Sequence, residues 1–120
     1  MNPWKTASAV ALLGAACAGA PPVPPERLAG VESEIRAAQE IGADNVPQAK
    51  LHLQNARDQL QAAQKVKDSP EEAGRKLDNA KAEAELANAL TREQVAKNEA
   101  QQAKARLAAT QQGKPTGGAQ

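Results

Sequence analysis

The sequence predicts an all-α fold, an antiparallel helical hairpin or coiled-coil-like bundle of about three helices. From Glu26 onward the chain consists mainly of alanine, glutamine, glutamate, lysine, arginine and leucine, which are strong helix formers. Apolar residues recur there at spacings of three and four, the period of one helix face. Pro47 and Pro70 divide the periodic sequence into three segments, each long enough for a helix.

The first segment of the chain, residues 1–16, has the layout of a secretory signal peptide. It carries one positive charge, at Lys5, followed by an apolar run and small residues. The apolar run is about 10 residues long, whereas a helix that spans a membrane needs roughly 20. We therefore expect this segment to be removed after Ala16 rather than to remain as a membrane span.

Cys17 is the only cysteine of the chain, so it has no partner for an internal disulfide. The residues before it resemble the signal of bacterial lipoproteins, in which the cysteine becomes the acylated N-terminus. That resemblance implies a lipid anchor at Cys17, and Ala18 after it implies export to the outer membrane, with the chain facing the periplasm. In the alternative interpretation, an ordinary signal is cleaved nearby and Cys17 is incidental.

Residues 17–25 form the predicted tether between the lipidated cysteine and the helices. Four of them are prolines, which fix φ and lack an N–H donor, so the segment is expected to be extended polyproline II. A ligand for a domain that binds polyproline II is the alternative interpretation of the same residues.

The predicted helical domain spans residues 26–110, with the first helix ending near Ile41. Gly42 suits the left-handed residue after a helix, and Pro47 suits the first turn of the next. Ser69, Pro70 and Glu72 have the spacing of a capping box, which predicts the start of the third helix there. The third helix should run to about Ala109, before a disordered tail at residues 111–120.

The third helix is predicted to be about as long as the first two together. Only Asp68 and Ser69 separate the second and third helices, so these two should be antiparallel neighbours. We expect the first two helices to be roughly collinear and to pack together along the single long last helix.

Two apolar seams run along the third helix, on nearly opposite faces. A single partner helix covers only one of them at a given level, so the sequence predicts that the other is covered by the first helix, by a second copy of the chain or by another envelope protein. The alternative is that alanine is simply a common helix former on exposed faces. The residues of the predicted interaction seam are Leu77, Leu86, Ala89, Ala96, Ala100, Ala103 and Leu107.

Composition and motifs argue against several classes of function. Without Lys5 the chain has 14 basic and 14 acidic residues of interspersed sign, so nucleic acid is not an expected partner. His52 is the only histidine, and we interpret it as an exposed residue on a helix flank. The chain has no Glu-x-x-His, P-loop, HExxH or CxxC motif. We therefore expect no enzyme activity, metal, cofactor or small-molecule substrate.

The motif Ile35 to Asp44, followed by Pro47, a Leu/Ala seam and the Ala-rich stretch Lys81 to Ala87, resembles a known group. It is similar to the small bacterial lipoproteins of domain of unknown function 4398. The resemblance covers about residues 28–107 and implies a cell-envelope setting without catalytic residues. Together these observations predict a lipid-anchored structural or interaction protein. The alternative is a lipoprotein that binds the peptidoglycan wall without a covalent bond.

Overall fold

The computed structural model of the protein describes Gly19 and residues 21–113. In this part of the chain all regular structure is helical: α1 (Pro25–Glu40), a 3-10 turn (Ala43–Asn45), α2 (Pro47–Lys65) and α3 (Pro70–Gln112). The predicted all-α class is therefore confirmed. The predicted signal peptide, the cleavage after Ala16, the lipidated Cys17 and residues 114–120 of the predicted tail lie outside the described residues.

Proline occupies the first turn of each helix, at Pro25, Pro47 and Pro70, where its missing N–H would have had no partner within the helix. The predicted capping box at the start of α3 was wrong. Ser69 holds the N-cap position, but its side chain makes no capping hydrogen bond. Glu72 instead lies 3.7 Å from Lys76, one turn further along the helix. Pro70 therefore marks the start of α3 without help from the serine hydroxyl.

The connection between α1 and α2 reverses the chain. Gly42 has a φ of 93°, a left-handed conformation that glycine adopts without a steric cost, and the 3-10 turn follows directly. Ala43 is completely buried in this turn. The reversal brings α2 back alongside α1, so the expectation that these two helices are collinear was wrong.

The helix α1 instead lies beside the first half of α3. The Arg27 guanidinium is 2.5 Å from an Asp78 carboxylate oxygen, which joins the N-terminal ends of both helices. Further along, Glu34 lines the same groove as Asn88 and Arg92. The three helices therefore form an up-down-up bundle, with α1 and α3 running in the same direction and α2 between them in sequence and antiparallel to both.

The core of the bundle consists mainly of alanine. Leu53 and Leu77 are its largest fully buried aliphatic side chains, and Val31 and Ile35 add smaller buried contributions from α1. Small side chains let helix backbones approach closely but bury little apolar area. The remaining buried hydrophobic residues are all alanines: Ala38, Ala43, Ala49, Ala56, Ala63, Ala73, Ala80, Ala84 and Ala87.

The bundle ends at Thr91, and α3 continues beyond it. From Arg92 to Gly113 every residue is exposed. Residues 92–112, which we call the projecting half of α3, extend the helix by about 30 Å at 1.5 Å per residue. Apart from Arg92, which lines a groove with Glu34 of α1, this part of α3 packs against no other described element.

Candidate interaction surface

One side of α3 carries an exposed stripe of alanine and leucine that starts beside the bundle and continues along the projecting half. Leu86 and Leu107 retain 42% and 64% of their accessible surface, and both are among the most exposed large hydrophobic residues described. We call this surface the outer stripe. It consists of Ala82, Leu86, Ala89, Ala96, Ala100, Ala103 and Leu107, all of which are exposed.

Leu77, which the sequence grouped with the interaction seam, lies elsewhere. It is only 2% exposed and belongs to the core formed by α1, α2 and α3. It follows the spacing of the opposite seam of α3, in which Ala80 and Ala84 are completely buried. We call this the inner seam, and it consists of Ala73, Leu77, Ala80, Ala84, Ala87 and Val95. Leu77 therefore holds the bundle together and is not available to a partner, whereas the other six predicted seam residues are exposed.

The inner seam and the outer stripe differ in how far they are buried. The inner seam is buried as far as Ala87 and Thr91, and Val95, the next apolar residue on that face, is 43% exposed. The outer stripe is exposed along its whole length, and Glu93 interrupts its alanines and leucines. Burial of the inner face thus stops where α1 and α2 stop.

Two buried polar residues mark the end of the bundle. The Thr91 hydroxyl donates a hydrogen bond of 2.7 Å to the carbonyl oxygen of Ala87, which satisfies it within the helix. The Asn88 Oδ1 is buried and has no hydrogen-bond partner among the described residues. A buried polar atom of this kind costs free energy, so it supports the conclusion that optimal core packing ends at this level.

Charged residues lie along both edges of the outer stripe. Arg92, Glu99 and Arg106 follow one edge, and Lys97 and Lys104 follow the other. One ion pair forms along the projecting half, where the Lys97 ammonium lies 2.5 Å from the Glu93 carboxylate. This hydrogen bond, together with the positive charge of Lys97, lowers the pKa of Glu93.

The single histidine pairs with a carboxylate between helices. His52 Nδ1 of α2 lies 2.6 Å from Glu83 Oε2 of α3, and both side chains are about two-thirds buried or more. Sequence reasoning placed His52 on an exposed flank because the contact depends on the register between α2 and α3, which the pattern of one helix does not reveal. The geometry gives the pair a role in joining these two helices.

An open groove lies at the end of the bundle where the tether enters. It has a volume of about 470 Å³, and its walls include Val23, Leu28 and Leu77 together with Lys67 and Asp68 of the α2–α3 connection. The tether residue Val23 thus contacts the end of the bundle that is furthest from the projecting half. Pro24, with φ −61° and ψ 138°, has the extended conformation expected of the tether.

Neither a metal centre nor a membrane span is found in the described part of the chain. Among residues 21–113 no three side chains of histidine, cysteine, aspartate or glutamate cluster closely enough to hold a metal ion. In the same range no helix combines the length and the apolar character that crossing a membrane requires.

Comparisons with known proteins were made with the whole chain. No protein-family model, curated protein or solved structure matches it. The outer stripe and its charged edges are therefore the features from which a function has to be inferred.

Proposed function

We propose that this protein is a lipid-anchored protein of the bacterial cell envelope with a structural or protein-interaction role. In this proposal acylated Cys17 holds the chain at the outer membrane, facing the periplasm, and the outer stripe binds another helix. The resemblance to the lipoproteins of domain of unknown function 4398 belongs to the same proposal. The observation that carries it is the Ala/Leu stripe, interrupted by Glu93, on the projecting half of α3, whose residues are all exposed.

A helix segment such as the projecting half benefits from a partner. Isolated helices of this length are marginal in water, because most helix stability in proteins comes from packing one apolar face against something else. The described residues supply no such packing beyond Thr91. A second helix along the outer stripe would bury Leu107 and the alanines beside it, and would thereby stabilise the helical state.

The position of the tether suits this arrangement. Pro22 and Val23 lie beside the α2–α3 connection, at one end of the bundle, and the projecting half leaves from the other end. An anchor at Cys17 would therefore hold the α2–α3 connection nearest the lipid. The part of the outer stripe on the projecting half would lie at the far end, clear of the headgroups.

The membrane half of this proposal is tested by the intact mass of the protein purified from its native membranes. We expect the mass of a chain that begins at Cys17 and carries acyl groups, and we expect a Cys17→Ala variant to lack them and to leave the membrane fraction. An unmodified mass in the native protein would refute the lipid anchor.

The interaction half is tested by photo-crosslinking in cells from two neighbouring exposed alanines. Ala103 lies on the outer stripe, whereas Ala105 lies about 200° away around the helix, on the inner-facing side. We expect a photoreactive residue at position 103 to capture a defined protein, and the same residue at position 105 to capture it much less. Equal capture from both would contradict a binding role for the stripe. If the protein sediments with purified peptidoglycan, and substitution at neither position 103 nor position 105 reduces this, the wall-binding alternative is favoured.

A further inference from the structure

We propose that the outer stripe binds the outer stripe of a second copy of this chain, with the two α3 helices antiparallel and Ala89 opposite Ala100 of the second copy. The inference rests on the proposed function in one respect, since it takes the stripe to be a binding surface. It goes further by specifying the partner, the direction and the register.

The stripe has the seven-residue spacing of a coiled-coil seam. Two sets of residues alternate along it, and within each set the members are seven residues apart, as in the a and d positions of a heptad. One set is Leu86, Glu93, Ala100 and Leu107, and the other is Ala82, Ala89, Ala96 and Ala103. The pattern extends over nearly four heptads, or about 38 Å of helix.

In the proposed register every layer joins one residue of the first set to an alanine of the second set. Leu86 faces Ala103 of the second copy, and Leu107 faces Ala82 of the second copy. Large side chains thus oppose small ones throughout, which lets the helices approach closely and leaves no leucine facing another leucine across the seam. Glu93 faces Ala96 of the second copy, and its carboxylate remains paired with Lys97 at the edge of the seam.

The charges beside the seam select this register. Along one edge the sign alternates every seven residues, through Glu85, Arg92, Glu99 and Arg106. In an antiparallel pair these edges meet each other. The proposed register places Arg92 opposite Glu99 of the second copy, and Glu85 opposite Arg106 of the second copy. The two-fold symmetry repeats each pair, which gives four opposite-charge contacts.

Other alignments lose this complementarity. A shift of one heptad in one direction places Glu99 opposite its own symmetry mate and Arg92 opposite Arg106. The opposite shift places Arg92 opposite its own mate and Glu85 opposite Glu99. A parallel, in-register pair would place Glu93 against Glu93 within the seam and Arg92 near Lys97 of the second copy. Like charges at these positions disfavour each alternative.

The shape of the molecule permits the pairing. The helices α1 and α2 cover the inner face of α3 only as far as Thr91. Glu34 of α1 lines a groove with Glu85, Ala89 and Arg92, so α1 borders one edge of the outer stripe at this level but leaves the stripe exposed. In an antiparallel pair the bundle of each copy lies beside the projecting half of the other, so the two bundles are at opposite ends.

Charge reversal tests the proposal directly, on the full chain with Cys17→Ser. By analytical ultracentrifugation we expect the parent protein to dimerise, and Arg92→Glu or Glu99→Arg to raise the dimer dissociation constant on the order of tenfold. An equimolar mixture of the two variants regains opposite charges at both sites, so it should dimerise as tightly as the parent. Lys50→Glu, on an exposed site of α2, is the matched control and should change nothing. A mixture no tighter than the separate variants would overturn the proposal.

Disulfide crosslinking tests the register independently of these charges. Ala89→Cys and Ala100→Cys, each alone in the same Cys17→Ser background, place the two thiols about 16 Å apart along the helix axis, too far for a bond. Mixed together, they should form a disulfide-linked heterodimer on mild oxidation. Efficient crosslinking of either variant with itself, or none in the mixture, would refute the antiparallel register.

These outcomes separate this proposal from the one it rests on. A chain that stays monomeric at all concentrations overturns the self-pairing. The proposed function would still stand if a photoreactive residue at position 103 captured another envelope protein. Dimerisation of the Cys17→Ser chain, together with an unmodified intact mass of the native protein, would instead support the pairing and remove the lipid anchor.

Discussion

Replacing Leu53 with alanine tests whether the few buried leucines stabilise the bundle. Leu53 is completely buried, while Leu51, two residues earlier on the same helix, is 61% exposed. The substitution removes three carbon atoms, worth about 2.4 kcal/mol at about 0.8 kcal/mol for each buried methylene. The cavity that remains adds to this, so we expect the free energy of unfolding to fall by about 3 kcal/mol.

That loss is large for a protein of this kind. Domains of this size are typically stable by about 5 to 15 kcal/mol, and a core built mainly of alanine places this one toward the lower end. The expected consequence is a clear shift of the urea midpoint with an unchanged slope. Far-UV circular dichroism is the suitable signal, because residues 21–113 contain no tryptophan, tyrosine or phenylalanine.

Leu51→Ala is the matched control, since it makes the same chemical change on the same helix. We expect it to alter the free energy of unfolding by no more than about 0.5 kcal/mol. Both variants should be measured at one low protein concentration, because self-association would add its own stabilisation. A loss below about 1 kcal/mol for Leu53→Ala, or equal losses for the two variants, would refute the assignment of Leu53 to the core.

Three further predictions concern the chain reversal, the histidine pair and the outer stripe. Gly42→Ala should lower the free energy of unfolding by about 1 to 2 kcal/mol because of the left-handed φ, whereas Gly30→Ala, in an open helical site, should raise it by about 0.5 to 1 kcal/mol. Urea unfolding measures both changes, and free energies of unfolding that change in the same direction in the two variants would contradict this prediction. A double-mutant cycle of His52→Ala and Glu83→Ala should give a coupling of about 1 kcal/mol, and additive effects would show that the pair contributes nothing. Calorimetry should find a Tm that rises with protein concentration in the parent chain but not in Leu107→Glu; a constant parent Tm would argue against self-association.

The sequence predicted the helices well because their signals are local. Pro47 and Pro70 each stand in the first turn of a helix, and Gly42 adopts the left-handed conformation expected of it. These features depend on the allowed dihedral angles of single residues, so neighbouring sequence is enough to identify them. The proposed cap at Ser69 shows the limit, because a hydroxyl at the right spacing need not make the hydrogen bond.

The arrangement of the helices was harder to predict from the sequence, because it depends on contacts between residues that are far apart along the chain. The lengths of the segments were compatible with α1 lying in line with α2 or folding back beside it. The structure has the second arrangement, in which Val31 and Ile35 are buried in the core and Arg27 pairs with Asp78. The same limit applied to the interaction seam, where six of the seven predicted residues are exposed but Leu77 is taken up by α1 and α2.

The place where the tether meets the bundle sets the orientation of an anchored dimer. Val23 lies near the start of α3, so antiparallel pairing would put the two tethers at opposite ends of the assembly, about 70 Å apart at 1.5 Å per residue. If both anchors enter one bilayer, the paired helices must lie along its surface. In the proposed lipid-anchored state, an upright dimer would keep one anchor in the bilayer and carry the other acylated end across the periplasm, toward a second surface.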